Sequence, residues 1–172
     1  MPKGLKETSG VITISGSVVE TAANTFAQAE VDLQLDVLNN EVFVVTAVDI
    51  NMSLPDADAA NNETIVRGSL STTSRTSLGT IADSNVFAAG RNVCLADPAA
   101  GISFGNYSDS STESPHAQLE YIAIIATNNF QAQVLGTDNT RVKAMDFRVW
   151  GYRARADSST YAALVQSELL SA

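Results

Sequence analysis

Two stretches of the chain share one device, in which an apolar run is followed by two asparagines and a second apolar run. The first reads EVDLQLDVL-NN-EVFVVTAVDINMS, broken at Asn39 and Asn40. The second reads YIAIIAT-NN-FQAQVLG, broken at Asn128 and Asn129, and continues through TDNT into RVKAMDFRVWGYRAR. Asparagine accepts positive φ more readily than any residue except glycine, so an Asn pair between β-branched runs reads as a tight reversal between consecutive antiparallel strands. A chain built from this unit is all-β.

Alternation supports that reading. From Ala27 to Leu38, Val31, Leu33, Leu35 and Val37 point one way and Glu30, Asp32, Gln34 and Asp36 the other, as in a strand with one face in a core and one in water. From Val42 to Met52, the residues Val42, Val44, Val48, Ile50 and Met52 share a face. Phe43 and Val45 on the opposite side predict that its first half is covered twice. The run from Leu119 to Ala126 is likewise apolar on both sides, with Leu119, Tyr121, Ala123 and Ile125 against Ile122 and Ile124. On the last strand, Val142 to Ala154, Arg148, Trp150 and Tyr152 alternate against Met145, Phe147 and Val149.

Between these runs the pattern weakens. Residues 10–19 read as a first strand, Glu63 to Ser69 as a weaker one, and Leu78 to Leu95 as one or two strands, the clearer running from Asn85 to Leu95 despite Gly90. The hydroxyl-rich stretch from Ser71 has no assigned form. Residues 54–62 and 96–116 read as solvent-facing loops. After Asp157 or Ser158, either able to cap a helix, Tyr161, Leu164, Val165 and Leu169 recur at helical spacing, and that stripe must dock on the chain's own sheet or on a neighbouring subunit.

The expected fold is therefore an eight-stranded antiparallel jelly-roll sandwich with a short C-terminal α-helix. It divides into a flexible N-terminal arm (1–9), the sandwich (10–155) and the helix (156–172). In a jelly roll the second and third strands pair with the seventh and sixth, which brings the two Asn-Asn corners together. At 172 residues the chain suits one domain.

Charge narrows the function classes. The net charge of −9 argues against nucleic-acid binding over the whole surface. Five of the ten basic residues, Arg141, Lys143, Arg148, Arg153 and Arg155, nevertheless crowd the last strand region. They read as solvated or paired with carboxylates, or as a basic face on an acidic particle. No stretch approaches a membrane span or a secretory signal, so cytoplasmic synthesis without membrane insertion is expected.

Catalytic chemistry is not written in the chain. The single histidine, His116, follows Pro115 in a polar loop and reads as a bystander, and the single cysteine, Cys94, as a small buried hydrophobe. No nucleophile elbow, phosphate loop or metal-binding Cys/His set occurs, so no catalytic residue, cofactor or enzyme activity is expected. The loop from Asp56 through Asp58, Asn61 and Asn62 to Glu63 is either a plain acidic loop or a set of hard oxygen ligands for calcium. Asn51, Asn62 and Asn106 head chance glycosylation sequons.

The strand series from Gly10 to Ala154, with Asn128-Asn129-Phe130, Val149-Trp150-Gly151-Tyr152-Arg153 and the helix from Ser158 to Gln166, resembles the single jelly-roll major capsid proteins of tailless icosahedral viruses. The resemblance covers nearly the whole chain as a pattern of strands and loops. It implies a virion protein that assembles with many copies of itself in the host cytoplasm, with other virion proteins as further partners. Two lysines in the first nine residues imply only weak genome contact. A virion decoration, tail or fibre protein is the alternative, and a carbohydrate-binding module stacking sugars on Trp150 and Tyr152 is a third.

Overall fold

The computed structural model describes residues 4–57, 62–97, 102–110 and 120–170. Its longest pairing joins β4 (Glu41–Met52) to β10 (Ala144–Ala156), in register from Met145 opposite Met52 to Arg155 opposite Glu41. Both strands are rich in β-branched and aromatic residues, which suit a pleated buried surface. On the other side of β10 run β1 (Leu5–Glu7) and β2 (Ile12–Val19), and beyond β4 lies β8 (Ala123–Ile125). The second sheet has the order β3 (Ala27–Asp32), β9 (Asn129–Thr137), β5 (Glu63–Ser71), β6 (Val86–Asp97) and β7 (Ile102–Ser110). Every pairing is antiparallel.

Leaving aside β1 and β7, the facing orders β2-β10-β4-β8 and β3-β9-β5-β6 are those of a jelly roll. The expected pairings of β3 with β9 and of β4 with β8 are present. The corners also meet, because Asn128 accepts from the Leu33 N–H at its carbonyl (2.8 Å) and from the Leu35 N–H at its side-chain oxygen (2.6 Å). The reversals themselves differ from expectation. At both corners the strands on either side, β3 and β4 or β8 and β9, lie in opposite sheets, so each Asn pair marks a crossing between layers and not a hairpin. Only Asn40 has positive φ (56°), closing a 3-10 turn over Val37–Asn39, while Asn128 acts through hydrogen bonds.

Between the sheets, Phe87, Phe130 and Phe147 form an edge-to-face chain with 5.8 Å between successive ring centroids. Around them pack Phe43, Val45, Val48, Ile50, Val66, Leu70, Ile125, Val134, Met145 and Val149, all buried. Burying each such side chain contributes about 1.5–3 kcal/mol before the entropy cost.

A β-bulge splits β4. Trp150 pairs with Ala47 and Gly151 with Val45, so Thr46 is the extra residue, its hydroxyl donating to the Trp150 carbonyl at 3.1 Å. The extra residue shifts the period-two phase. Val42 and Val44 therefore do not share a face with Val48, Ile50 and Met52, as the spacing alone suggested. They point outward into a second cluster with Leu5, Ala126, Ala154 and Ala156, against which Ile124, Tyr152, Tyr161, Leu164 and Val165 pack. The last three lie on α1 (Ser158–Leu170), so the second apolar face is covered within the molecule at this end of the sheet.

Other expectations are corrected. Leu5–Glu7, within the segment read as a loose arm, pairs with Ala154–Ala156 as β1. The alternating run from Ala27 ends as a strand at Asp32, Gln34 takes positive φ, and Val37 is exposed. β5 is an interior strand of its sheet and not a weak one, its Gly68 leaving room for the Met145 sulfur. The long loop 96–116 contains β7. The hydroxyl-rich segment after Ser71 folds over the outer face of the second sheet. There the Gly79 N–H donates to the buried Gln133 (3.2 Å), the Arg75 N–H donates to Gln28 (2.9 Å), and Arg75 pairs with Asp83 (3.2 Å).

Gly151 sits at the bulge, where a Cβ would overlap the Val44 carbonyl oxygen and the Phe43 ring. Backbone on one side and a fully buried ring on the other leave nothing to give. Gly151→Ala should cost about 3 kcal/mol, whereas Gly10→Ala, with open space around it, should shift stability by no more than ~0.5 kcal/mol. Denaturant midpoints of the two variants measure the contrast.

Candidate interaction surface

One end of the sandwich is tied by buried polar groups from three loops. Glu20 accepts the N–H groups of Gly136 (2.6 Å), Lys143 (2.8 Å) and Thr25 (3.2 Å). Gly136 lacks the Cβ that would crowd that carboxylate. The Lys143 ammonium, buried with its chain, donates to Asp56 (2.6 Å) and to the Leu54 carbonyl (2.9 Å). Asp56 also accepts from the Thr140 N–H and hydroxyl (2.8 and 2.9 Å) and the Arg141 N–H (3.0 Å). Asn139, buried, donates to the Ile65 and Thr137 carbonyls and accepts from the Asp56 N–H.

Burial works against the Asp56 charge, but the hydrogen bonds from Lys143, Thr140 and Arg141 outweigh it and hold the carboxyl at about 2. Its oxygens are thus spent on the chain's own donors. Among the described residues no group of three or more His, Cys, Asp or Glu is placed to hold a metal. Asp58 and Asn61 lie outside the described residues, Glu63 and Asn62 are exposed, and the calcium alternative loses Asp56 as a ligand.

The other candidates disperse. His116 falls outside the described residues, and Cys94 is buried on β6. Of the clustered basic residues, Lys143 is consumed by Asp56, while Arg153 approaches Glu41 at 3.9 Å and donates to the Leu33 carbonyl at 3.0 Å. Arg148, Trp150 and Tyr152 do share the outer face. The Arg148 guanidinium lies 5.8 Å from the centroid of the Trp150 ring, and Tyr152 packs into the outer apolar cluster, where burial raises its phenol pKa. Neither ring is a free platform for a sugar. Beside them Ser15, Ser17, Asp49, Asn51, Asp146 and Arg148, with Gly16 and Phe147, line a shallow groove of about 450 Å³.

Asp157 caps α1, its carboxylate accepting the Thr160 N–H at 2.8 Å. The helix is fastened at its far end by Glu168, a residue the apolar stripe did not include. Its two oxygens accept the Ala126 N–H (2.9 Å) and the Thr127 N–H (3.0 Å), where β8 leaves its sheet. Burial raises the Glu168 pKa against the lowering effect of those donors. A folded pKa above the unfolded one means that the native state takes up a proton more readily, so this group favours folding most at acid pH and less as pH rises through its folded value. The signal was present in the spacing: Glu168 is seven residues after Tyr161, at the centre of the Tyr161, Leu164, Val165 stripe, whereas Leu169 falls at its margin. Leu169 and Leu170 are accordingly 65% and 78% exposed, and with Tyr161, Ala162, Val165 and Gln166 they line an open apolar groove of about 570 Å³.

No family model matches the chain, and no curated protein matches its sequence. Among solved structures, the VP1 pentamer of human polyomavirus 6 aligns at 8% identity and a TM-score of 0.45, over 88% of this chain and 98% of that one. Desmodium yellow mottle tymovirus aligns at 9% identity and a TM-score of 0.30, over 92% and 96%. Among the described residues no helix is long and apolar enough to cross a membrane.

Two substitutions check this end-to-end fastening. Asp56→Asn strands the buried Lys143 charge and should cost about 3 kcal/mol at neutral pH. A folded pKa below the unfolded one stabilises above pH ~4 and is lost as pH falls through about 2. The gap between Asp56→Asn and the parent in thermal unfolding should therefore close on acidification. Glu168→Ala should speed hydrogen exchange at the Ala126 and Thr127 amides by about tenfold or more, leaving β9 protected.

Proposed function

We propose that this chain is a viral structural protein, a major capsid protein whose copies assemble into an icosahedral shell in the virion. The observation that carries the reading is a jelly-roll strand order joined to apolar surface that one copy leaves bare, above all Leu169 and Leu170 on the outward side of α1. Jelly rolls serve in viral capsids and in lectins. The half-buried Trp150 and Tyr152 weigh against the lectin-like alternative.

Assembly from weak, repeated contacts fits such a surface, because closure of many contacts multiplies their strength. The excess of 19 carboxylates over 10 basic residues opposes approach of like copies at low salt and opposes it less as salt screens them. Contact with the genome is a minor part of this reading, since Lys143 and Arg153 are engaged within the fold.

Light scattering across protein concentration and a salt series, followed by electron microscopy, tests the proposal. Expected are large closed particles that form more readily at higher salt. A protein that stays monomeric under every condition overturns it. A protein that stays small alone yet adds to preformed shells is a decoration component instead.

A further inference from the structure

β2 is an edge strand: among the described residues it pairs with β10 and with no strand on its other side. Its pairing with β10 runs from Ile12 opposite Gly151 to Val19 opposite Ala144. The Glu20 N–H donates to the Lys143 carbonyl at 2.9 Å, which sets the alternation. Residues of the same parity as Glu20 turn their main-chain groups toward β10, so Thr13, Ser15, Ser17 and Val19 turn theirs away. The side chains of these four residues are all exposed on the outer face.

Proteins protect an edge of this kind with charges, proline, a bulge or short length. β3 carries Glu30 and Asp32, and β8 is only three residues long. β2 has eight residues in regular register with none of these devices. The chain has no charged residue from Thr8 to Val19, although it carries −9 overall. Val11 and Val19 are 64% and 53% exposed at the two ends of this neutral strip. A second copy bearing the same net charge therefore meets no charged side chain on β2 itself.

We propose that β2 pairs with β2 of a second copy about a two-fold axis through Ser15, fusing two sheets into one. The inference rests on the self-assembly reading above and names a contact that it uses. Antiparallel pairing centred on Ser15 places every outward-turned residue opposite another. Thr13 faces the second copy's Ser17, and Val11 faces its Val19. The regular pattern then supplies about ten main-chain hydrogen bonds. On the outer face, aliphatic pairs close both ends and hydroxyls fill the middle, a self-complementary arrangement as an isologous contact requires.

Cysteine crosslinking and an edge proline test the contact. In a hydrogen-bonded antiparallel pair the two Ser15 Cα atoms stand about 5.5 Å apart, within disulfide range. The two Thr13 Cα atoms are then about 14 Å apart along the strands. Mild oxidation should convert Ser15→Cys to a covalent dimer and leave Thr13→Cys monomeric, with buried Cys94 silent in the parent. Ser15→Pro removes an N–H that β10 does not use, so circular dichroism and the melting midpoint should stay near the parent's while particle formation is lost.

A Ser15→Cys protein that remains monomeric overturns the pairing, as does a folded Ser15→Pro protein that forms particles like the parent. In the second case the assembly reading survives and only this contact falls. If the parent itself forms no particles, the assembly reading fails separately, and the Ser15→Cys crosslink alone decides the pairing.

Discussion

The pairing of β4 with β10 is the interaction on which the rest of the molecule depends. It is the longest ladder, it lies inside its sheet, and its two strands supply residues to both apolar clusters. The single extra residue at Thr46 makes this possible. Without the bulge, Val42 and Val44 would share the phase of Val48 and Ile50, and Phe43 would point away from the phenylalanine chain. With it, one strand serves the inter-sheet core along its length and seats a helix on its outer face at one end. Gly151, opposite the bulge, keeps the two backbones close enough for the ladder to continue.

The two ends of the sandwich are secured by different means. At one, loops after β2, β4 and β9 converge on Glu20, Asp56, Asn139 and Lys143, which satisfy one another and the turn backbone in a nearly dry setting. At the other, Asn128 joins the corner before β9 to the corner after β3, and Glu168 brings α1 onto the end of β8. Buried polar groups of this sort specify geometry, since any alternative arrangement leaves donors without acceptors.

The fold was largely legible because most strands follow period-two patterning over lengths that no helix would match. The class, the sandwich, the pairing of β3 with β9 and β4 with β8, and the capped helix all follow from that pattern and from strand count. What escaped it lay where a side chain works against its usual type. Thr46 looks like any strand residue, so the phase change it causes is invisible without a partner strand. β7 was hidden by Gly105 and a run of serine and aspartate. Glu168 looks like solvent-facing charge until its place on the helix is compared with that of Tyr161. The loop at Asp56 left a calcium site open beside the plain acidic reading because the sequence does not say that Lys143 will be folded back beside it.

The position of β10 has a consequence for how the chain matures. Every strand of its sheet precedes it, yet it must be inserted between β2 and β4, which do not touch as neighbours until it arrives. A growing chain emerging from the ribosome therefore holds most of its hydrophobic strands before the piece that joins them exists. Closure of the sheet waits for β10 and is slow, governed by contacts distant in sequence. During that interval the sides of β2 and β4 that β10 will occupy are unpaired edges, open to the same strands of neighbouring chains.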